Sequence, residues 1–198
     1  MRIILGLGNP GSRYARTRHN AGFLAVERFA GEIGVRLRPP ATPSPPMEIA
    51  QARAFGEDLV LARPLTFMNC SGDAAKALAS RHGGAPGEFL VLYDDIALPL
   101  GRLRLRIRGS AGGHKGMESV IEHLGTSEIP RLRLGILGSG AGVAPEVLAD
   151  YVLEEFASDE WPVVEQMLNR SMEALATALS RGVEIAASLF NRSENPTV

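Results

Sequence analysis

The feature that most constrains the fold is a pair of apolar runs, residues 2–7 and 89–93, in which polar and apolar side chains do not alternate. A strand that faces water on one side alternates apolar with polar residues, whereas a strand covered on both sides is almost wholly apolar. Such strands occur in parallel sheets that carry helices on each face. The two runs therefore predict central strands of an α/β fold, the second of which ends at Asp94 and Asp95.

A second pattern predicts that the sheet is mixed. Residues 48–55 and 58–63 are separated only by Gly56 and Glu57, and so short a connection joins antiparallel neighbours. Apolar spacing predicts the other elements: a helix after Asn20 as N-cap, a proline-rich surface loop over 39–46, a helix within 66–82, a strand over 102–108, a helix over about 114–124, a strand over 131–137 and a C-terminal helical region from Trp161 to Leu179. We therefore expect a single α/β domain, residues 1–198, with a twisted mixed β-sheet flanked by helices on both faces.

The composition limits the class of protein. The 198 residues are 45% hydrophobic, which suffices for one buried domain. The formal net charge of −1 predicts no global attraction to nucleic acid, so local patches must supply any such binding. The single cysteine, Cys70, cannot form an internal disulfide, and we find neither a signal-peptide pattern nor an apolar run of membrane-spanning length. We expect a cytoplasmic protein that does not bind membranes.

Arginine alternates with aliphatic residues over 102–108, which is the strongest periodic signal in the chain. The alternation predicts a strand with four arginines on one face, and Arg131 and Arg133 supply two more on the next strand. Such a face can be the solvated side of an edge strand, where charge prevents aggregation. It can equally bind a phosphate backbone, which relieves the repulsion and releases counterions. From the residues alone, both interpretations stay open.

Polar side chains collect where two predicted strands end. Asn9 follows the first strand and Asp94 follows residues 89–93, and ligands of open α/β sheets bind at such carboxyl ends. His19 lies in the loop after Asn9. A carboxylate bonded to one imidazole nitrogen fixes the tautomer and leaves the other nitrogen to accept a proton from water. If the two strands are neighbours, Asn9, His19 and Asp94 meet in one crevice.

Three other chemistries fit the residues less well. The segment GLGNPG, residues 6–11, matches the G-x-G-x-x-G dinucleotide pattern, but about ten polar residues separate it from the helix that it should open. Cys70 and Ser71 lie in a predicted helix, where capping or packing explains them without a nucleophilic role. The four histidines show neither an HExxH motif nor a Cys/His ligand spacing, so no metal site is expected.

In order and spacing, four segments that span nearly the whole chain resemble the bacterial peptidyl-tRNA hydrolase family: GLGNPGSRYARTRHNAGF, RPLTFMNCSG, VLYDDIALPLG and GSAGGHKGMESVIEHLG. The resemblance implies a monomeric α/β protein that hydrolyses the ester between a stalled peptide and the 3′ ribose of tRNA. It implies His19 as the catalytic base and Asp94 as the residue that orients it. It also implies a site for the 3′ adenosine and the first peptide unit, lined by Asn9, Tyr14, Phe67, Met68 and Asn69. Since an amide side chain binds a peptide amide better than an ammonium, we expect Asn9 to distinguish the two and His114 to contact the substrate as well.

The resemblance also assigns the arginines and reveals one departure. It implies that Arg104, Arg106 and Arg133 bind acceptor-stem phosphates, contacts that add affinity without reading sequence. After residues 112–114 the family usually has asparagine, whereas this chain has Lys115, which donates hydrogen bonds but cannot accept them. We expect Lys115 to contact a phosphate or the terminal ribose. An activated ester needs only water, a general base and amide donors, so no cofactor is expected. The alternative function is a non-catalytic RNA-binding module.

Overall fold

A six-stranded mixed sheet forms the centre of the computed structural model, which describes residues 1–41, 45–138 and 147–192. The strands are β1 (Arg2–Gly6), β2 (Met47–Ala54), β3 (Glu57–Pro64), β4 (Phe89–Pro99), β5 (Leu103–Arg106) and β6 (Arg131–Leu137). Their order across the sheet is β2-β3-β1-β4-β6-β5. The four inner strands are parallel, and β2 and β5 pair antiparallel at the two edges. The predicted hairpin is thus β2-β3.

Helices cover both faces of the sheet. They are α1 (Ala21–Glu32), α2 (Ser71–His82), α3 (Lys115–Leu124), α4 (Leu148–Leu153), α5 (Trp161–Arg181) and α6 (Val183–Phe190). Ile4 of β1 packs with residues of α1 and α5 on one face, whereas Ile3 and Leu5 pack with residues of α2 and α3 on the other. All three side chains are fully buried, as the lack of alternation predicts. The α/β fold class with helices on both faces is therefore confirmed.

The predicted end of the fourth strand was wrong. Strand β4 does not stop at residue 93 but continues to Pro99, so that Asp94 and Asp95 lie within it. Both residues are paired in register with β6, opposite Leu134 and Gly135. Aspartate is depleted in strands, which is why the sequence suggested an earlier end, but ladder pairing with a buried neighbour overrides this preference. The acidic side chains consequently project from a rigid strand.

The arginine-rich strand is shorter than predicted. Strand β5 spans only Leu103–Arg106 of the predicted residues 102–108, because its pairing with β6 ends at the Arg106–Arg131 pair, just before a glycine-rich segment. On the outer edge of β5, the Asn191 side-chain amide accepts from the Leu105 N–H at 2.7 Å and donates to the Leu105 carbonyl at 2.9 Å. This contact satisfies backbone groups that an edge strand otherwise leaves open.

Two further predictions concern the surface. The proline-rich loop predicted over 39–46 includes residues 42–44, which lie outside the described residues. In the described part of the chain, no helix combines the length and the apolar character needed to cross a membrane.

Candidate active site

A cleft of about 1000 Å³ opens at the carboxyl ends of β1 and β4 and continues over the sheet towards α4. Helices α2 and α3 cover one face of β1 and β4. In the described residues, the core beneath these two helices includes no residue of β5 or β6, so the face of the sheet beyond β4 is left open to form the cleft. Its lining comes from several parts of the chain: Asn9, His19, residues 67–69, residues 93–96, residues 106–115, Arg131, Arg133, Leu148, Ala149, Val152 and Leu153. Ligands of open α/β sheets bind in such a position.

His19 is held at the cleft by a buried carboxylate. The residue lies in a 3-10 turn, Arg18–Asn20, immediately before α1. Its Nδ1 atom is 2.9 Å from each carboxylate oxygen of Asp94, which is only 2% exposed. Since an ionised carboxylate only accepts hydrogen bonds, the proton sits on Nδ1 of the neutral ring. The second ring nitrogen, Nε2, therefore keeps a lone pair that can accept a proton.

A second histidine binds the same carboxylate. Nε2 of His114 is 2.9 Å from Oδ1 of Asp94, and Nδ1 of His114 accepts the backbone N–H of Met117 at 3.1 Å as the N-cap of α3. Because Nδ1 is an acceptor, the ring proton must be on Nε2, where it is donated to Asp94. The His114 ring also packs between Tyr93 and His19, with centroid separations of 4.7 and 4.9 Å. His114 thus supplies a second hydrogen bond to Asp94, beside the one from His19.

The two histidines keep Asp94 ionised. Burial alone raises the pKa of Asp94, but the charges and hydrogen bonds of His114 and His19 outweigh burial and hold this pKa well below its ordinary value. At neutral pH the carboxylate is therefore an anion in a water-poor setting. It stabilises any positive charge that forms on the His19 ring.

The same three side chains are the one group in the described residues whose donor atoms could hold a metal ion, since these atoms lie within 4.8 Å of one another. Sequence spacing did not reveal this group, because its members come from a turn, a strand and a helix N-cap. The hydrogen bonds favour a proton network instead. To bind a metal through Nε2, His114 would have to give up the Met117 hydrogen bond or lose both ring protons.

Asn9 faces the same cleft with a fixed orientation. Asn20 is the N-cap residue of α1, as predicted, but its side chain makes no cap hydrogen bond. The side chain instead accepts from the Asn9 N–H at 2.8 Å and donates to the Asn9 carbonyl at 3.0 Å. The Asn9 side-chain oxygen accepts the backbone N–H of Met68 at 2.9 Å. Because a backbone N–H can only donate, the side-chain nitrogen, Nδ2, is the group left to donate to a ligand.

The glycine pattern after β1 has a packing explanation. A Cβ atom at Gly6 would lie 2.4 Å from the carbonyl oxygen of Gly22 in α1, and a Cβ atom at Gly8 would lie 2.6 Å from the Phe23 ring. Both glycines thus allow α1 to approach β1 closely. Two 3-10 turns separate this segment from α1, so no helix N-terminus opens directly from it to bind a pyrophosphate.

Proteins of one family resemble this chain over nearly its whole length. A family model described as peptidyl-tRNA hydrolase matches residues 3–197. The chain belongs to the peptidyl-tRNA hydrolase family. Among its relatives, the peptidyl-tRNA hydrolase of Chloroflexus aurantiacus is 44% identical over 192 residues, which cover 96% of this chain and 99% of that protein. The crystal structure of peptidyl-tRNA hydrolase from Acinetobacter baumannii matches with a TM-score of 0.86 and 31% identity, covering 96% of this chain and 94% of that one.

Most of the residues to which the family resemblance assigns a role line the cleft. Beyond the histidines, Asp94 and Asn9, these are Phe67, Met68, Asn69, Arg106, Lys115 and Arg133. Phe67 is 58% exposed beside the buried Met68, and Lys115 pairs with Glu118 across 3.0 Å on the surface of α3. Tyr14 and Arg104 lie outside the lining residues. Tyr14 is instead hydrogen-bonded to Arg13, whose guanidinium lies over its ring.

The arginines of this family member differ in their surroundings. Arg106 is exposed, whereas the Arg133 Nε forms an ion pair with Asp95. Arg131, which the sequence grouped with Arg133 beside the arginine face of residues 102–108, is only 1% exposed. Its guanidinium donates to the carbonyls of Ser110, Ser127 and Ile129 at 2.9 to 3.0 Å. Arg131 therefore holds the glycine-rich segment that leads to His114. The alternation of arginine with aliphatic residues cannot show whether an arginine is buried in this way or exposed.

Sequence reasoning also missed part of the cleft wall. Helix α4 contributes four lining residues, yet it is short and has no motif that signals a binding role. Only its position against the carboxyl ends of the strands identifies it as part of the cleft.

Proposed function

We propose that this chain hydrolyses the ester that joins a peptide to the 3′ ribose of tRNA, with His19 as the general base. The observation that carries the proposal is the Asp94-bound imidazole of His19, which lines the same cleft as the Asn9 amide. Family membership supports the reaction and the substrate class. No metal or cofactor enters the proposed mechanism.

The proposed reaction begins with a water molecule between His19 and the ester carbonyl. Nε2 of His19 takes a proton as the water oxygen attacks, and Asp94 stabilises the imidazolium that results. When the tetrahedral intermediate collapses, the same nitrogen returns the proton to the departing ribose oxygen. General base catalysis of this kind contributes about 10²–10⁴-fold.

The Asn9 side chain has two proposed tasks. Its Nδ2 group donates to a carbonyl oxygen of the substrate, where a fixed donor strengthens as negative charge develops. It also favours a substrate whose first amino group is blocked by a peptide bond, because an amide donor binds a carbonyl but repels an ammonium. Met68 supports both tasks, since its backbone N–H fixes the amide orientation.

The tRNA end of the substrate is proposed to bind over the exposed part of the sheet. Phe67 offers an exposed ring on which the 3′ adenine can stack, next to Asn69. Arg104, Arg106 and Arg133 are proposed to contact acceptor-stem phosphates, and their charges raise affinity without selecting sequence. We propose that the chain acts as a monomer. Tyr14 and His114 are proposed to complete the substrate contacts.

The decisive experiment compares N-acetyl-aminoacyl-tRNA with free aminoacyl-tRNA as substrates. We expect the wild-type chain to release the amino acid only from the blocked substrate, and His19→Ala to abolish this release. His82→Ala is the matched control, because His82 lies in the last turn of α2 and outside the cleft lining. A chain that binds tRNA but releases nothing would instead be the non-catalytic RNA-binding module.

A further inference from the structure

Arg18 is the immediate neighbour of His19, but its side chain points away from the cleft. Its Nη1 and Nη2 atoms donate to the two carboxylate oxygens of Glu160 at 3.2 and 2.8 Å. The side chains are 7% and 17% exposed, so this is a bidentate pair largely removed from solvent. Such pairs are sensitive to geometry, because either partner left alone is a buried unpaired charge.

Two aromatic rings complete the surroundings of Arg18. The guanidinium carbon lies 4.5 Å from the ring centroid of Tyr151 and 5.1 Å from that of Phe156. Its Nε atom is buried without a hydrogen-bond partner in the described residues. A fold that needed only an ion pair could place it on the surface at lower cost. We therefore infer that the buried position of the Arg18–Glu160 pair has a role other than stabilising the fold.

The backbone around Arg18 is joined to the segment that follows α4. Thr17 forms an antiparallel bridge with Glu155, and the Arg18 N–H donates to the carbonyl of Glu154 at 3.0 Å. Glu154 comes directly after the last residue of α4. The turn that carries His19 is thus connected to the end of α4 by both backbone and side chains.

Helix α4 is in turn a wall of the cleft. It contributes the lining residues Leu148, Ala149, Val152 and Leu153. From the same helix, the Tyr151 hydroxyl donates to the carbonyl of Ile136 at 3.0 Å and accepts the N–H of Gly138 at 2.9 Å, which anchors α4 to the end of β6. Arg18 therefore contacts the cleft wall through Tyr151 and the catalytic turn through the chain itself.

We propose that Arg18, through its pair with Glu160, is a positioning residue that sets the separation between the α4 wall and the His19 imidazole. The inference rests on the proposed function and deepens it. A substrate seated against α4 then presents its ester within reach of Nε2 of His19. Small displacements of reacting groups lower the rate of the chemical step. The proposed phosphate contacts are Arg104 and Arg106 of β5 and Arg133 of β6, which lie outside the Arg18–Glu160 pair, so we expect tRNA affinity to change little.

Glu160→Gln tests the inference, because it keeps the size of the side chain and removes the charge that orients Arg18. We expect kcat on N-acetyl-aminoacyl-tRNA to fall about tenfold while KM stays within about twofold. The pH dependence of kcat should keep its wild-type shape, because the contact between His19 and Asp94 is not altered. Arg18→Lys, which cannot form the bidentate pair, should give the same pattern.

Glu165→Gln is the matched control, since Glu165 lies on α5 and pairs with Arg28 of α1 rather than with the catalytic turn. It should leave kcat unchanged, and urea unfolding should verify that all variants are folded at the assay temperature. An unchanged kcat in both variants, or a rise in KM alone, would overturn the inference.

The two proposals fail in different ways. If wild type does not cleave the blocked substrate, or if His19→Ala retains the full rate, then the proposed function fails and this inference fails with it. If His19→Ala is inactive but Glu160→Gln and Arg18→Lys have wild-type kcat, only the role of Arg18 is wrong.

Discussion

Nδ1 of His19 lies 2.9 Å from both carboxylate oxygens of Asp94, although the two residues are 75 positions apart in the chain. The contact determines which ring nitrogen faces the cleft and supplies the negative charge that an imidazolium needs. His114 donates a second hydrogen bond to the same carboxylate, which restrains its rotation.

Asp94→Asn should lower kcat on N-acetyl-aminoacyl-tRNA by about 100-fold or more, because an amide can hold the His19 ring in the wrong tautomer and carries no charge to stabilise imidazolium. Single-turnover kinetics with labelled tRNA would measure the loss. Asp73→Asn, a change at the surface of α2, is the control. Activity within a few-fold of wild type would remove Asp94 from the proposed role.

Acid should weaken the contribution of Asp94 to stability. The pKa of Asp94 is lower in the folded protein than in the unfolded chain, where it is about 3.9. The ionised carboxylate therefore stabilises the fold at pH values above the unfolded-state pKa. This stabilisation is lost as the pH falls towards the folded-state pKa. Urea unfolding of wild type and Asp94→Asn from pH 7 to pH 3 should therefore show a difference in unfolding free energy that narrows below about pH 4. A constant difference would contradict the assignment.

Asn9→Asp should reduce the preference for blocked substrates. The new carboxylate can still accept the Met68 N–H, but it cannot donate to a carbonyl and it attracts an ammonium. We expect the ratio of kcat/KM for N-acetyl-aminoacyl-tRNA to that for free aminoacyl-tRNA to fall by about tenfold or more. Asn169→Asp on α5 serves as the comparison. An unaltered ratio would show that another group makes the discrimination.

Arg106→Ala should weaken tRNA binding in a salt-dependent way. Each phosphate contact contributes about 0.9 to the slope of log affinity against log salt, so removal of one contact should reduce the slope by about that amount. Equilibrium measurements of tRNA affinity between about 50 and 200 mM salt would detect this change in slope. Arg53→Ala in the β2-β3 hairpin should leave the slope unchanged. Equal slopes for both variants would place the acceptor stem elsewhere.

Lys115→Asn should raise KM for a tRNA substrate and leave kcat nearly constant. Lys115 lines the cleft and its surface pair with Glu118 is weak, so the cation is available to a phosphate or ribose. Steady-state kinetics on the variant would measure the effect, and Lys76→Asn on the surface of α2 provides the control. Unchanged kinetics would assign Lys115 no substrate contact.

Local patterns were sufficient to predict the framework of the protein. Unbroken apolar runs identified central strands, a two-residue gap identified the hairpin, and strand ends located Asn9 and His19 beside one crevice. These inferences succeeded because strand burial and turn length are read from neighbouring residues. They failed at β4, where pairing with β6 extended the strand through Asp94 and Asp95.

The tertiary structure alone decided how the charged residues are used. Alternation treats Arg131 and Arg106 alike, yet one is buried against three carbonyls and the other is exposed. Arg18 meets Glu160 across 142 positions, and no local pattern indicates that pair. Hydrophobic periodicity is a property of adjacent residues, whereas the partner of a buried charge depends on which distant segments the packed sheet and helices bring into contact.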